Sequence, residues 1–470
     1  MTAADLVAGA LDRLGIIDAG RFRPVLDLAW PRIVTGFAIM SKQTADLAMV
    51  GIAVGTTGTA GLAFALAYWE VVTMLGLGLA GGTVSLVSQN YGGGENERAS
   101  LVVKGSCLIA IAFALPVVAA FIAFAEPLIG LLGASPASLR HGSVYLVFVA
   151  PAVLFELLNL IASRTYTGVG DPFTEMMARG GGAILNVVLS AVLIFGLGLG
   201  VAGAAIGTTI ATGVVTLVLA WGMVGRGYGR LGMAPSPVPV TLAGPWFDPS
   251  LVRQLMEISL PEIGRRLAEG VVVFPLLWIA ASFGPVIVAA FEVGRRVRSL
   301  INGVNWGLSL ASSSLVGQYL GAGEEEEAGA YGAAIIRLAT VAYVGLAALV
   351  VPLATPIAGL FVGSDEVARA ATFVAVGAVS SIGFGIDGTA AGALLGAGDT
   401  RWPFVASLLG RYAFALPAAT LGLITPLGVG GLYLAFLLET YVPGGINYWL
   451  FRTGRWKAVS RRYRPSSAPD

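Results

Sequence analysis

The sequence predicts an all-α polytopic membrane protein: twelve transmembrane helices in two parallel-repeat six-helix bundles. Three observations lead there. A mean hydropathy of +0.83, with 56% hydrophobic and 12% charged residues over 470 positions, exceeds what a water-soluble core absorbs. The chain also supplies twelve mainly apolar runs, each at least as long as the ~20 residues that cross a bilayer. Finally, Ser85–Ala99 (SLVSQNYGGGENERA) recurs as Ser314–Ala328 (SLVGQYLGAGEEEEA), agreeing at nine of fifteen positions. Two further echoes keep the same offset: Trp30-Pro31-Arg32-Ile33 with Leu260-Pro261-Glu262-Ile263, and Gly168-Val169-Gly170-Asp171 with Gly396-Ala397-Gly398-Asp399. Shifts of 228 to 230 residues make two like halves.

Taken in order, residues 1–25 read as a cytoplasmic lead-in, helical or loose. Asp5, Asp12 and Asp18 interrupt the apolar core a signal peptide needs, and Arg13, Arg21 and Arg23 come late. The N-lobe, 26–225, holds six spans. The first, 26–50, carries Pro31, Lys42 and Asp46. The second, 59–89, is long enough to tilt and runs into the repeated Gly-rich loop. The third, 101–125, contains the single cysteine, Cys107, which excludes an internal disulfide. The fourth to sixth follow at 143–165, 178–198 and 201–225. Residues 226–254, polar and rich in Gly and Pro, form the cytoplasmic inter-lobe linker.

The C-lobe, 255–451, repeats the plan with spans at 255–282, 286–319, 332–361, 369–395, 403–425 and 428–451. A basic tail occupies 452–470. An even number of spans per half returns the second copy to the same side. Arg13, Arg21, Arg23, Arg98, Arg164, Arg179, Arg226, Arg230, Arg253, Arg401 and the tail bases up to Arg464 then fall on one side, against Arg140 and Arg369 on the other. That asymmetry puts both termini in the cytoplasm of a cell (plasma) membrane. The acids of the repeated loops read as helix starts and turn caps. Neither Gly-rich loop has the Lys-Ser/Thr ending of a nucleotide loop. The net charge of +1 argues against nucleic acid, and one histidine, His141, excludes a histidine-built metal site.

Ionisable groups at membrane depth are costly and default to function. Lys42 and Asp46 stand four apart on the first span. Arg265 and Arg266 precede Glu269 by four and three on the seventh, and Glu292 precedes Arg295 and Arg296 by three and four on the eighth. Each acid thus shares a helix face with a base. Burial disfavours a carboxylate's charged form and a neighbouring cation favours it, which is the balance a coupling site needs. Glu70, Glu156, Arg298, Arg337, Asp387, Arg411 and Glu439 also fall inside spans; Asp387 stands out beside Gly385, Gly388 and Gly392. Pro31 and Pro261 remove one backbone hydrogen bond each and read as hinges.

In these features the chain resembles the multidrug and toxic compound extrusion (MATE) transporters of the multidrug/oligosaccharidyl-lipid/polysaccharide exporter superfamily. The resemblance is carried by Pro31, the Thr44-Ala45-Asp46-Leu47-Ala48-Met49-Val50-Gly51 end of the first span, Val87-Ser88-Gln89-x-x-Gly92 with its copy Val316-Gly317-Gln318-x-x-Gly321, the Gly-x-Gly-Asp turns, and Gly200-Val201-Ala202-Gly203-Ala204-Ala205. It implies two six-helix bundles that export organic compounds by alternating access, driven by inward proton or sodium flow. An N-lobe coupling network would place Asp46 with Asn186 and Thr208; a second acid usual one turn after the asparagine is replaced by Ser190. A C-lobe network would use Glu269, eight residues after Pro261, and Asp387. The resemblance implies no cofactor beyond the coupling ion, no catalysis, a monomer, and an organic cation or amphipathic drug as cargo within the lipid bilayer.

The arginines beside Glu269 raise a competing reading. A cavity lined by Lys42, Arg265, Arg266, Arg295, Arg296 and Arg298 would suit an anionic lipid-linked or polysaccharide-type substrate. A membrane enzyme is disfavoured, since no aspartate-rich metal motif, His-Glu-x-x-His or nucleophile elbow is present.

Overall fold

The computed structural model describes residues 3–241, 243–363 and 366–463. Arg464 and the Arg230 side chain, both counted on the cytoplasmic side above, lie outside that description. Apart from turns and the largely irregular linker between Met223 and Pro249, the described chain is helical, and its one β-bridge joins Tyr228 to Met233 in that linker.

The first half runs α1 (Ala3–Arg13), α2 (Ala19–Val54), α3 (Thr56–Gly92), α4 (Asn96–Ala123), the short α5 (Ala125–Leu131), α6 (Pro136–Gly168), α7 (Pro172–Ala191) with a π-turn at Val192–Gly196, and α8 (Gly200–Met223). The second runs α9 (Pro249–Val271), α10 (Val273–Ser282), α11 (Pro285–Gly321), α12 (Glu325–Val350), α13 (Ala354–Ala358), α14 (Val367–Gly396), α15 (Arg401–Leu408), a π-helical stretch Leu409–Ala415, α16 (Leu416–Ile424), α17 (Gly430–Thr453) and α18 (Arg455–Ser460). Among the described residues nine of these helical segments are long and apolar enough to cross a membrane. The other three expected spans differ in kind. The seventh breaks at Val272 into α9 and α10. The first half of α11 holds Glu292, Arg295, Arg296 and Arg298, and α17 holds Glu439 and Asn447.

Two compact units emerge. The N-unit comprises Pro31–Tyr91 and Glu95–Ser259; the C-unit comprises Met1–Trp30, Gly92–Gly94 and Leu260–Asp470. The division therefore falls within α2 at Pro31 and within α9 next to Pro261. In the N-unit α6 packs on α4 and α8, and α8 on α7. The linker is fastened there too: Lys104, buried on α4, donates to the carbonyls of Ala243 (3.1 Å) and Pro245 (3.3 Å) and stands 5.4 Å from the Trp246 ring centre. In the C-unit α14 packs against α11 and α17. Close approach requires glycine at Gly392, where a Cβ would stand 2.3 Å from the Ser309 carbonyl oxygen. Ala8, Ile17, Phe22 and Val25 join the C-unit core beside Ala311, Tyr331 and Ile335.

The duplicated sequence has duplicated turns. Gly94 and Gly323 close their helices at φ +77° and +83°, and Glu95 and Glu324 each donate 2.8 Å back to Asn90 and Tyr319. Gly170 and Gly398 do likewise at +88° and +80°, with Asp171 and Asp399 donating 2.8 Å to Tyr166 and Leu394. These are helix-closing turns whose left-handed residue favours glycine. Asp171 then caps α7, its carboxylate accepting from the Thr174 amide (3.0 Å) and hydroxyl (2.6 Å).

Candidate functional site

The N-unit charges gather around a cleft of about 720 Å³, open solvent at its mouth included. Lys42 and Asp46 reach it from α2, Trp69 from α3, Tyr145 and Glu156 from α6, and Arg179 from α7. Asp46 is buried. Thr208 on α8 donates its hydroxyl to Asp46 Oδ2 at 3.3 Å. Asn186 on α7 satisfies both ends of its amide when the nitrogen donates to Asp46 Oδ2 (3.2 Å) and the oxygen accepts from the Thr208 amide (3.1 Å). Gly207 eases this meeting: a Cβ there would stand 2.8 Å from the Ser190 hydroxyl oxygen and 3.0 Å from its amide nitrogen, so a larger residue would press α8 away from α7. Ser190 borders Asp46, yet its buried hydroxyl has no hydrogen bond of ordinary geometry among the described residues. Asp46, Asn186, Thr208 and Ser190 are thus brought together.

Lys42 shares the cleft but forms no ion pair with Asp46, or with any other described carboxylate. The pairing expected from four-residue spacing is therefore not made. Other bases hold Glu156 and Glu175. Arg179 pairs with Glu156 at 2.7 Å, and Arg32, next to Pro31, pairs with Glu175 at 2.8 Å. Arg179 and Arg164, read above as loop charges, are buried within α7 and α6.

The C-unit has a denser network. Glu262, next to Pro261, accepts from Arg265 through both oxygens (2.7 and 2.8 Å) and from Arg266 at 2.9 Å. Glu269 takes Arg265 at 3.0 Å and Arg411 at 3.5 Å. Arg411 hangs from the π-helical stretch and donates to Ser407 at 2.6 Å. Glu439 accepts from both terminal nitrogens of Arg298 at 3.1 Å and lies 3.8 Å from Arg411. Asp387 accepts from Asn447 at 2.7 Å and has no ion pair among the described residues. Glu292 approaches Arg295 at 3.2 Å without hydrogen-bond geometry, and Arg296 is exposed. Of the arginines that suggested an anionic cavity, Arg265, Arg266 and Arg298 are thus neutralised by the chain's own acids, Arg295 lies beside Glu292, and Arg296 has no ion pair among the described residues.

The two networks differ chemically. Glu262, Glu269 and Glu439 are clamped by guanidinium groups and gain little from another cation, whereas Asp46 is held by the neutral donors Asn186 and Thr208 beside the cleft. Sequence reasoning missed Arg32, Glu175 and Glu262 as a set. Arg32 and Glu262 follow the two repeated prolines directly, and that placement was the available signal.

Comparisons with known proteins agree with one another. The family model described as MatE matches residues 31–192 and again 263–420. A probable multidrug resistance protein NorM of Bradyrhizobium diazoefficiens is 28% identical over 457 residues, covering 92% of this chain and 94% of the relative. An FAD transporter of Shewanella oneidensis is 26% identical over 447 residues, covering 93% and 96%. Among solved structures, a MATE in the bent conformation superposes with a TM-score of 0.84 at 20% identity, covering 94% of this chain and 97% of that one. A MOP superfamily transporter from Pyrococcus furiosus, whose binding pocket is described as having reverse polarity that suggests a different function, gives a TM-score of 0.82 at 20% identity, covering 93% of this chain and 96% of that one.

Proposed function

The chain belongs to the MatE family, and from that premise we propose that it is a secondary active exporter of small organic compounds, multidrug in range, driven by inward flow of protons or sodium. It works as a monomer in the cell membrane with both termini in the cytoplasm, and performs no catalysis. The NorM relatives support the cargo range. The observation that carries the coupling is Asp46: a buried carboxylate whose partners, Asn186 and Thr208, are neutral, standing in a cleft that water reaches.

In the outward-open state a cation or proton reaches Asp46 and cancels its charge. Neutralisation removes the anchor for a cationic cargo group and favours release; loss of the ion toward the cytoplasm restores the charge and recruits the next cargo. The ion shifts this equilibrium only by its difference in affinity between the two states, so Asp46 must change surroundings as α2 bends at Pro31. Glu269 joins the coupling only insofar as Arg265 and Arg411 release it, and Asp387 only by giving up Asn447.

The test is gradient-jump transport of a fluorescent cationic drug in proteoliposomes, with pH and sodium steps applied separately. Movement driven by one of the two steps supports exchange; movement indifferent to both removes it.

A further inference from the structure

Asp46 has its place in the exchange, but two other charges of the N-unit cleft are unused by it. Lys42 lines the cleft one turn before Asp46 and makes no hydrogen bond or ion pair among the described residues. Arg179 donates one terminal nitrogen, Nη2, to Glu156 at 2.7 Å; its side chain is 8% exposed, and its other terminal nitrogen, Nη1, is buried without a partner. Trp69 and Tyr145 line the same space and offer aromatic faces. A buried N–H left unmade is costly, and Lys42, which feels Glu156 and Asp46 across the cleft without touching either, leaves its ammonium donors unused. An anionic oxygen satisfies both, through charge-assisted hydrogen bonds.

We propose that Lys42 and Arg179 form an anion-binding subsite in the N-unit cleft, and that the cargo is an aromatic zwitterion with its anionic group on this pair and its cationic group at Asp46. The first half stands on the cleft alone; the second rests on the exchange reading above. A cargo held by its anion alone would bind more tightly once a cation neutralised Asp46, because the cleft would then carry more positive charge. Exchange needs the opposite sign. A cationic centre on the same molecule restores competition at Asp46, while Lys42 and Arg179 decide which cations are accepted.

The experiment uses the full chain in detergent, without a gradient, and one xanthene dye in two forms: the zwitterion with a free carboxylate, and its methyl ester. Fluorescence polarisation should show the acid binding wild type about tenfold more tightly than the ester, the scale of a hydrogen bond to a charged group. Lys42→Met should erase that preference and Lys42→Arg should restore it, with thermal melting confirming that both variants fold. Equal binding of the two forms to wild type overturns the subsite. So does a preference for the acid that survives in Lys42→Met. Raising sodium, or lowering pH while the dye keeps its carboxylate, should weaken the acid's binding; strengthened or unchanged binding under both overturns the zwitterionic cargo. Preference for the acid without ion-driven movement of either dye keeps the subsite and removes the exchange, and ion-driven movement without that preference does the reverse.

Discussion

Glu439 offers the sharpest quantitative test of the C-unit network. It accepts from Arg298 through two nitrogens at 3.1 Å and lies 3.8 Å from Arg411, and the three side chains are 7%, 8% and 1% exposed. Glu439→Gln removes the counter-charge of a buried guanidinium. One-sided removal from a buried pair costs about 3–5 kcal/mol. Glutamine keeps an oxygen that accepts from Arg298, which places this variant near the lower end, at about 3 kcal/mol. Arg298→Met alone leaves Glu439 with only the distant Arg411 and should cost about as much. The double variant leaves neither charge stranded, so it should cost less than the two singles together by about 2 kcal/mol. Equilibrium unfolding in mixed micelles measures all four corners of this cycle. Strict additivity, or a Glu439→Gln cost below about 1 kcal/mol, would refute the reasoning that burial makes the pair interdependent.

Three other expectations follow from local geometry. Asp171 caps α7, so Asp171→Ala should cost about 1 kcal/mol of stability while Asp171→Asn, an equally good cap, should cost almost nothing. Burial pushes the Asp171 carboxyl above its ordinary value. Its contribution is therefore greatest below the ordinary carboxylate range and is lost as pH rises through the raised value, a dependence that Asp171→Asn should flatten in thermal melts. Gly392→Ala would place a Cβ 2.3 Å from the Ser309 carbonyl oxygen; parting α14 from α11 to make room should cost about 1–3 kcal/mol, read as a lower melting temperature.

Composition and repetition carried the fold because both are local or periodic properties of the chain. Apolar runs announce bilayer helices wherever they occur, and the duplicated Gly-rich turns declare themselves because their left-handed residues, Gly94 and Gly323, Gly170 and Gly398, favour glycine. Asp46 stood out for a related reason: a carboxylate in an apolar run is conspicuous on its own. The pairings were another matter. Arg32 meets Glu175 across 143 residues and Arg298 meets Glu439 across 141, distances at which sequence spacing carries no geometric information. Spacing instead suggested Lys42 with Asp46, where cross-helix donors, Asn186 and Thr208, hold the acid. The break of the seventh span at Val272 was legible but unread: Pro275 has no N–H for the Val271 carbonyl and its ring crowds that group, so α9 ends there. The grouping of Ala8 and Ile17 with α11 and α12, by contrast, depends on tertiary packing that periodicity does not encode.

The account turns on the charge of Asp46 being cancelled and restored once per cargo molecule. Proteoliposomes containing wild type and Asp46→Asn, given the same fluorescent cargo, separate two activities: accumulation against a concentration difference driven by an ion gradient, and cargo-for-cargo counterflow with no gradient. Asp46→Asn should lose the first and keep measurable counterflow, since its helices still exchange access while its carboxamide no longer answers to the ion. If Asp46→Asn concentrates cargo as steeply as wild type, the coupling lies elsewhere and the account is wrong.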